Sequence, residues 1–194
     1  VCAAAAGMPP LGQARAGEAG ACEEAGLVPI VELGVRMDGS YDIARCESVT
    51  SQVLQAGFAA LDAHGVLLEG MLLKPNMVIA GMKCAQQASV QQVAEATLRC
   101  LRRHVPAAVP GIVFLSGGQS AEDATDHLNA INTMGPHPWQ LSFSYGRALQ
   151  APVLAAWKGQ ESNAAAAQKA FANRCRLNGL AHVGQYDRTM EPQA

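Results

Sequence analysis

Lys74 sits inside the run Leu72-Leu73-Lys74-Pro75-Asn76-Met77-Val78, whose neighbours belong in a core; the only other lysines are at 83, 158 and 169. An amine forced into apolar surroundings loses hydration, which disfavours the ammonium and leaves a nucleophile able to attack a carbonyl. That is Schiff-base chemistry. The structural alternative is a lysine that buries only its methylene stem, with Pro75 simply ending a strand. Three other groups follow apolar runs in the same way: Glu32 after Leu27–Val31, Ser116-Gly117-Gly118-Gln119-Ser120 after Gly111–Leu115, and Tyr145-Gly146-Arg147 after Gln140–Ser144. A strand-end carboxylate can carry protons. Glycines between a strand and a helix let backbone N–H groups approach an anion, and a guanidinium clamps phosphate. Each alone has a plain explanation, since a tight turn needs no ligand and an arginine can cap a carbonyl. Their convergence is what points to a site.

The elements that must position these groups can be read from the spacing. Glu32 to Lys74 is 42 positions, Lys74 to Ser116 is 42 and Ser116 to Arg147 is 31, with an amphipathic helix in each interval. That pitch predicts parallel βαβ units, whose C-terminal strand ends build the site of an α/β sheet or barrel. Between Asp42 and His64, Cys46, Val49, Val53, Ala56 and Ala60 mark one buried helical face. A strand over Val66–Leu73 leads to Lys74. Ser89 and Gln92 form a capping box for a helix through Val90, Val93, Thr97 and Leu101, with Arg99, Arg102 and Arg103 suiting its C-terminal dipole. Pro106 and Pro110 break the chain before the next strand. Ser120 and Asp123 cap a helix with the stripe Ala121, Ala124, Leu128 and Ile131. Helices over 148–157 and 161–177 follow. Residues 1–26 form an Ala/Gly-rich segment with a short helix near Arg15–Glu24, stopped by Gly26. Residues 27–179 carry the α/β unit, and 180–194 are expected to be a loose tail.

Composition narrows the partners. The chain has 194 residues, 49% of them hydrophobic, enough for one sizeable core, although a full (β/α)8 barrel takes about 250. Net charge is −2 with 15% charged residues, which gives no footprint for nucleic acid or an anionic membrane and favours a small polar or phosphorylated metabolite. Six cysteines without a CxxC pair suit reduced thiols in an intracellular protein, and five histidines show no metal-ligand spacing. No apolar run reaches the roughly 18 residues of a membrane helix. The opening Val1-Cys2-Ala3-Ala4-Ala5-Ala6-Gly7 lacks an initiator methionine and a basic region, the start expected of a partial or processed sequence.

The strings LVPIVE, LEGMLLKPNMV, AVPGIVFLSGGQS, LNAIN and SFSYGRALQ, in this order and at these intervals, closely resemble class I fructose-bisphosphate aldolase, from about Cys22 to about Tyr186. The resemblance implies an α/β fold, a TIM (β/α)8 barrel of which only about the second half, strands five to eight, is present. It implies that Lys74 forms an iminium with a substrate ketone and that Glu32 exchanges protons as the Schiff base forms and breaks down. Ser116, Gly117, Gly146 and Arg147 match the phosphate-binding elements. The implied reaction is the reversible cleavage of fructose 1,6-bisphosphate to dihydroxyacetone phosphate and glyceraldehyde 3-phosphate in glycolysis and gluconeogenesis. It requires no metal or other cofactor. A cytoplasmic homotetramer is implied too, with a plastid location left open.

Two departures qualify that picture. Leu33-Gly34 stands where the family usually continues with Pro-Glu, which removes an acid–base group, and the family's catalytic groups on strands one to four have no counterpart here. Four strands would also leave two open edges. A second reading is therefore a catalytically impaired partial barrel acting as a binding or subunit-exchange partner. A third, supported by fold logic alone, is another lysine Schiff-base barrel of the transaldolase or deoxyribose-phosphate aldolase kind.

Overall fold

The computed structural model describes residues 8–192, and of residues 8–11 the backbone alone. In chain order the elements are α1 (Met8–Glu24), β1 (Ile30–Leu33), α2 (Ile43–Ala63), β2 (Leu72–Pro75), α3 (Val90–His104), β3 (Gly111–Phe114), α4 (Ala121–Thr133), β4 (Gln140–Phe143), α5 (Arg147–Trp157) and α6 (Ala164–His182). Single 3-10 turns lie at Leu68–Gly70, Glu161–Asn163 and Arg188–Met190. The strands form one sheet in the order β1-β2-β3-β4, and every neighbouring pair is parallel. Each crossover carries a helix, so the whole is an open arc of an α/β barrel.

The helices begin where their capping residues stand. Asp42 accepts a hydrogen bond from the Arg45 N–H at 2.8 Å, Ser89 and Gln92 close a reciprocal capping box, and Ser120 accepts from the Asp123 N–H at 3.0 Å. Successive strand residues point to opposite faces. On the outer face Val31, Leu33, Leu73, Ile112, Phe114 and Leu141 are buried beneath the helices, together with Leu54 and Leu61 of α2, Leu98 and Leu101 of α3, and Leu128 and Ile131 of α4. The helices pack in a row, α1 on α2, α2 on α3, α3 on α4 and α4 on α6, with α5 against α6. Among the described residues, the inner face carries no helix.

Several expectations need correction. The strand expected over Val66–Leu73 starts only at Leu72, because Leu68–Gly70 turns as a 3-10 helix and Leu67 faces solvent. The first strand likewise starts at Ile30, since Leu27 and Val28 are exposed. The short helix near Arg15 begins at Met8, and Ala16 and Ala19 are buried in the core; residues 1–7 of that segment lie outside the described residues. Gly26 has the positive φ of 72° expected of a helix stop.

The tail expected to be loose from residue 180 is not. Gly179 lies within α6, which runs to His182, and Arg174 pairs with Glu191 through two hydrogen bonds of 2.7 and 2.6 Å. Only 4% of the Arg174 side chain and 10% of the Glu191 side chain are exposed. Tyr186 donates to the same carboxylate at 2.9 Å, and Arg174 also donates to the Ala121 carbonyl at 2.8 Å. These long-range partners hold the last turns against α4. Residues 193–194 lie outside the described residues. The five described cysteines are free thiols, and among the described residues no helix is long and apolar enough to cross a membrane.

Candidate active site

Register brings Glu32 and Lys74 together. They are partners across β1 and β2, so both project from the inner face, and Lys74 Nζ lies 3.0 Å from Glu32 Oε2. Lys74 is only half-buried, with 25% of its side chain exposed, and Glu32 is 52% exposed. The expected lysine stripped of water is therefore not found. The reason is geometric: the apolar neighbours Leu73 and Pro75 point to the outer face and its core, while Lys74 points to the uncovered side.

Asn76, directly after the Lys74-Pro75 pair, is 1% exposed and fully engaged. Its Oδ1 accepts from the Val35 N–H at 3.0 Å, and its Nδ2 donates to Thr50 Oγ1 and to the Met77 carbonyl, each at 3.0 Å. One amide thus ties the end of β1, the end of β2 and α2 together behind the amine. The loops after β1 and β2 are also zipped to each other, by Gly81 N–H to the Tyr41 carbonyl, Met82 N–H to the Met37 carbonyl and Lys83 N–H to the Gly39 carbonyl. Only glycine fits at 81, because an added Cβ would stand 2.2 Å from the Gly39 carbonyl oxygen.

Ser116 is not level with Lys74, although each stands 42 positions after the preceding strand-end group. The β2–β3 register pairs Leu73 with Ile112 and Asn76 with Leu115, an offset of 39, so Ser116 stands three residues beyond the level of the amine. Three residues of strand are roughly 10 Å. The β3–β4 register pairs Phe114 with Phe143, which places Arg147 further still along the same direction. Gly117 and Gly118 have φ of 59° and 80°, two consecutive left-handed residues. Arg147 reaches this loop, since a Cβ built on Gly118 would lie 3.4 Å from Arg147 Nη2. The guanidinium is exposed and, among the described residues, has no hydrogen-bond or ion-pair partner. No protein acceptor among the described residues takes the backbone N–H of Gly117, Gly118 or Gly146.

The six expected site residues therefore fall in two groups on one edge of the sheet: Glu32 with Lys74 as a contacting pair, and Ser116, Gly117, Gly146 and Arg147 further out. The pair can move a proton between amine and carboxylate, and the second group offers, among the described residues, backbone N–H groups with no protein acceptor and a guanidinium with no ion-pair partner. Sequence reasoning assigned no role to Asn76, Gln119 or His127, although the first two stand inside the quoted strings. Their work is hydrogen bonding to particular backbone and side-chain partners, which has no period to read.

Comparison with known proteins bears on this arrangement. Residues 8–194 match the family model "Fructose-bisphosphate aldolase class-I". The chain is 56% identical to fructose-bisphosphate aldolase B of Sparus aurata over 166 residues, which cover 85% of this chain and 46% of that protein. It is 57% identical to fructose-bisphosphate aldolase 1 of Toxoplasma gondii over 165 residues, with the same coverage of 85% and 46%. Among solved structures it superposes with a TM-score of 0.90 and 50% identity on fructose-bisphosphate aldolase from Plasmodium falciparum, crystallised with TRAP and a small-molecule inhibitor. That match covers 93% of this chain and 52% of the other. The chain thus spans about half the length of the curated relatives it matches.

Proposed function

Because the chain belongs to the class-I fructose-bisphosphate aldolase family, we propose that it supplies the Schiff-base half of an aldolase site acting on fructose 1,6-bisphosphate in the cytoplasm, within a homo-oligomer. The observation that carries this reading is the 3.0 Å contact between Lys74 Nζ and Glu32 Oε2 on the inner sheet face.

Glu32 accepts a proton from the Lys74 ammonium, and the free amine attacks the C2 ketone to give a carbinolamine. Protonation of its hydroxyl, again by way of the carboxylate, expels water and leaves an iminium. Electrons of the C3–C4 bond then flow into the iminium, giving an enamine on Lys74 and releasing glyceraldehyde 3-phosphate as the C4 hydroxyl loses its proton. Protonation of the enamine and hydrolysis release dihydroxyacetone phosphate. A phosphate group of the substrate sits in the cradle of Gly117, Gly118, Gly146 and Arg147, with Ser116 beside it.

The base for the C4 hydroxyl is the weak point. Gly34 places no carboxylate where the resemblance leads one to expect a second glutamate, and the inner face is open. These two observations favour the second reading, a half-barrel that forms the iminium but turns over slowly, and serves as a binding partner. Incubation of the purified chain with dihydroxyacetone phosphate and sodium borohydride tests iminium formation, and the rate at which the same sample cleaves fructose 1,6-bisphosphate separates full turnover from the impaired reading. The expected result is a reduced adduct on Lys74 alone, located by peptide mass; a folded sample with no adduct overturns the catalytic reading.

A further inference from the structure

We infer that His127 and Gln119 are positioning residues that aim the Gly117 N–H into the anion cradle and so set phosphate affinity without touching the phosphate. The inference rests on the phosphate role proposed above for Ser116–Gly118. Gln119 bonds the Ser116 carbonyl twice, through its backbone N–H at 3.1 Å and its side-chain Nε2 at 2.8 Å. In the trans peptide that joins Ser116 to Gly117, the carbonyl and the next N–H point in opposite directions. A carbonyl pinned toward Gln119 therefore turns the Gly117 N–H the other way. At φ of 59° that glycine contributes no side chain to hold its own orientation.

The Gln119 amide is held in turn. Its Nε2 donates to Ser116, so Oε1 is left as an acceptor, and His127 Nδ1 lies 2.5 Å from it. His127 must then carry its proton on Nδ1. The imidazole is 9% exposed, and burial pushes its pKa below the ordinary histidine value despite Asp123 and Asp126, keeping it neutral near pH 7. The other ring nitrogen, Nε2, has no partner among the described residues; the ring borders a cleft of about 620 Å³ that Met82, Cys84 and Gly118 also line. His127 thus spends its one hydrogen bond on Gln119. Nothing in the proposed Schiff-base chemistry uses it.

The test compares wild type with His127→Leu, Gln119→Leu and the conservative His127→Gln, whose amide can still donate to Gln119. Two readouts are used. Titration with inorganic phosphate should weaken about tenfold in both leucine variants, the loss of one hydrogen bond to an anion, and recover in His127→Gln. Borohydride trapping of Lys74 should show the preference for dihydroxyacetone phosphate over phosphate-free dihydroxyacetone falling by a similar factor; a merely structural role would lower both rates and preserve their ratio. Equal phosphate affinity in wild type and His127→Leu, or no rescue by His127→Gln, overturns the inference. Failure of dihydroxyacetone phosphate to trap Lys74 in folded wild type instead overturns the Schiff-base reading, and the phosphate titration still decides this one.

Discussion

The two faces of the sheet are built to different standards. Along β2 the outer residue Leu73 is fully buried, while its neighbour Lys74 keeps a quarter of its side chain in contact with solvent. Along β1 Val31 is 4% exposed, yet Ile30 on the other face is 53% exposed. The outer face finds all its partners within this chain: helices cover it, and its side chains fill the space between them. The inner face does not, which fits a chain that spans about half the length of its relatives. A one-residue step along a strand therefore moves from stability to chemistry.

The strongest way to break this contrast is Lys74→Met. Adduct formation should vanish, while the free energy of unfolding measured in urea should change by less than about 1 kcal/mol, because an ion pair this exposed contributes little. A large loss of stability would mean that the inner face carries the fold after all. Arg174→Met should do the reverse. It strands Glu191 in a buried place, and removing one member of such a pair costs about 4 kcal/mol; trapping per folded molecule should persist. Leu73→Ala should cost about 3 kcal/mol through the lost side chain and the cavity left behind, again with trapping intact in the folded fraction.

These expectations also show where the sequence was readable. The strand–helix alternation, the caps at Ser89 and Ser120 and the place of Glu32 and Lys74 at strand ends follow from local rules, namely hydrophobic period and capping chemistry. The clasp of Arg174, Glu191 and Tyr186 does not. Arg174 sits in an alanine-rich helix whose apolar residues show no single stripe, and its burial comes from partners 17 and more positions away. Lys74 misled for a related reason: a run of apolar residues looks buried throughout, whereas alternate residues of a strand face different environments and one of those environments is open here. The level of Ser116 depended on β2–β3 register, which a count of residues between motifs cannot supply, because loop length and strand offset trade against each other.

Two glycines sharpen the comparison at the small end. Gly57 in α2 lies under the outer face, where an added Cβ would stand 2.3 Å from Leu33 Cδ1, 3.1 Å from Cδ2 and 3.3 Å from Cγ. Turning χ2 of Leu33 leaves its Cγ in place, so this buried side chain must repack, and Gly57→Ala should destabilise by about 2 kcal/mol through overpacking, although alanine is the better helix former. Gly34 follows β1 beside the open face, and its nearest obstacle is Leu115 Cδ2 at 3.0 Å, the tip of a half-buried side chain. Gly34→Glu should therefore change stability by less than about 1 kcal/mol, Leu115 swinging aside at small cost. It would also return a carboxylate to the position where the resemblance leads one to expect it, so the rate of fructose 1,6-bisphosphate cleavage should rise. A Gly34→Glu chain that unfolds as readily as Gly57→Ala would show the inner face to be as tightly specified as the outer one, and the division between them would fall.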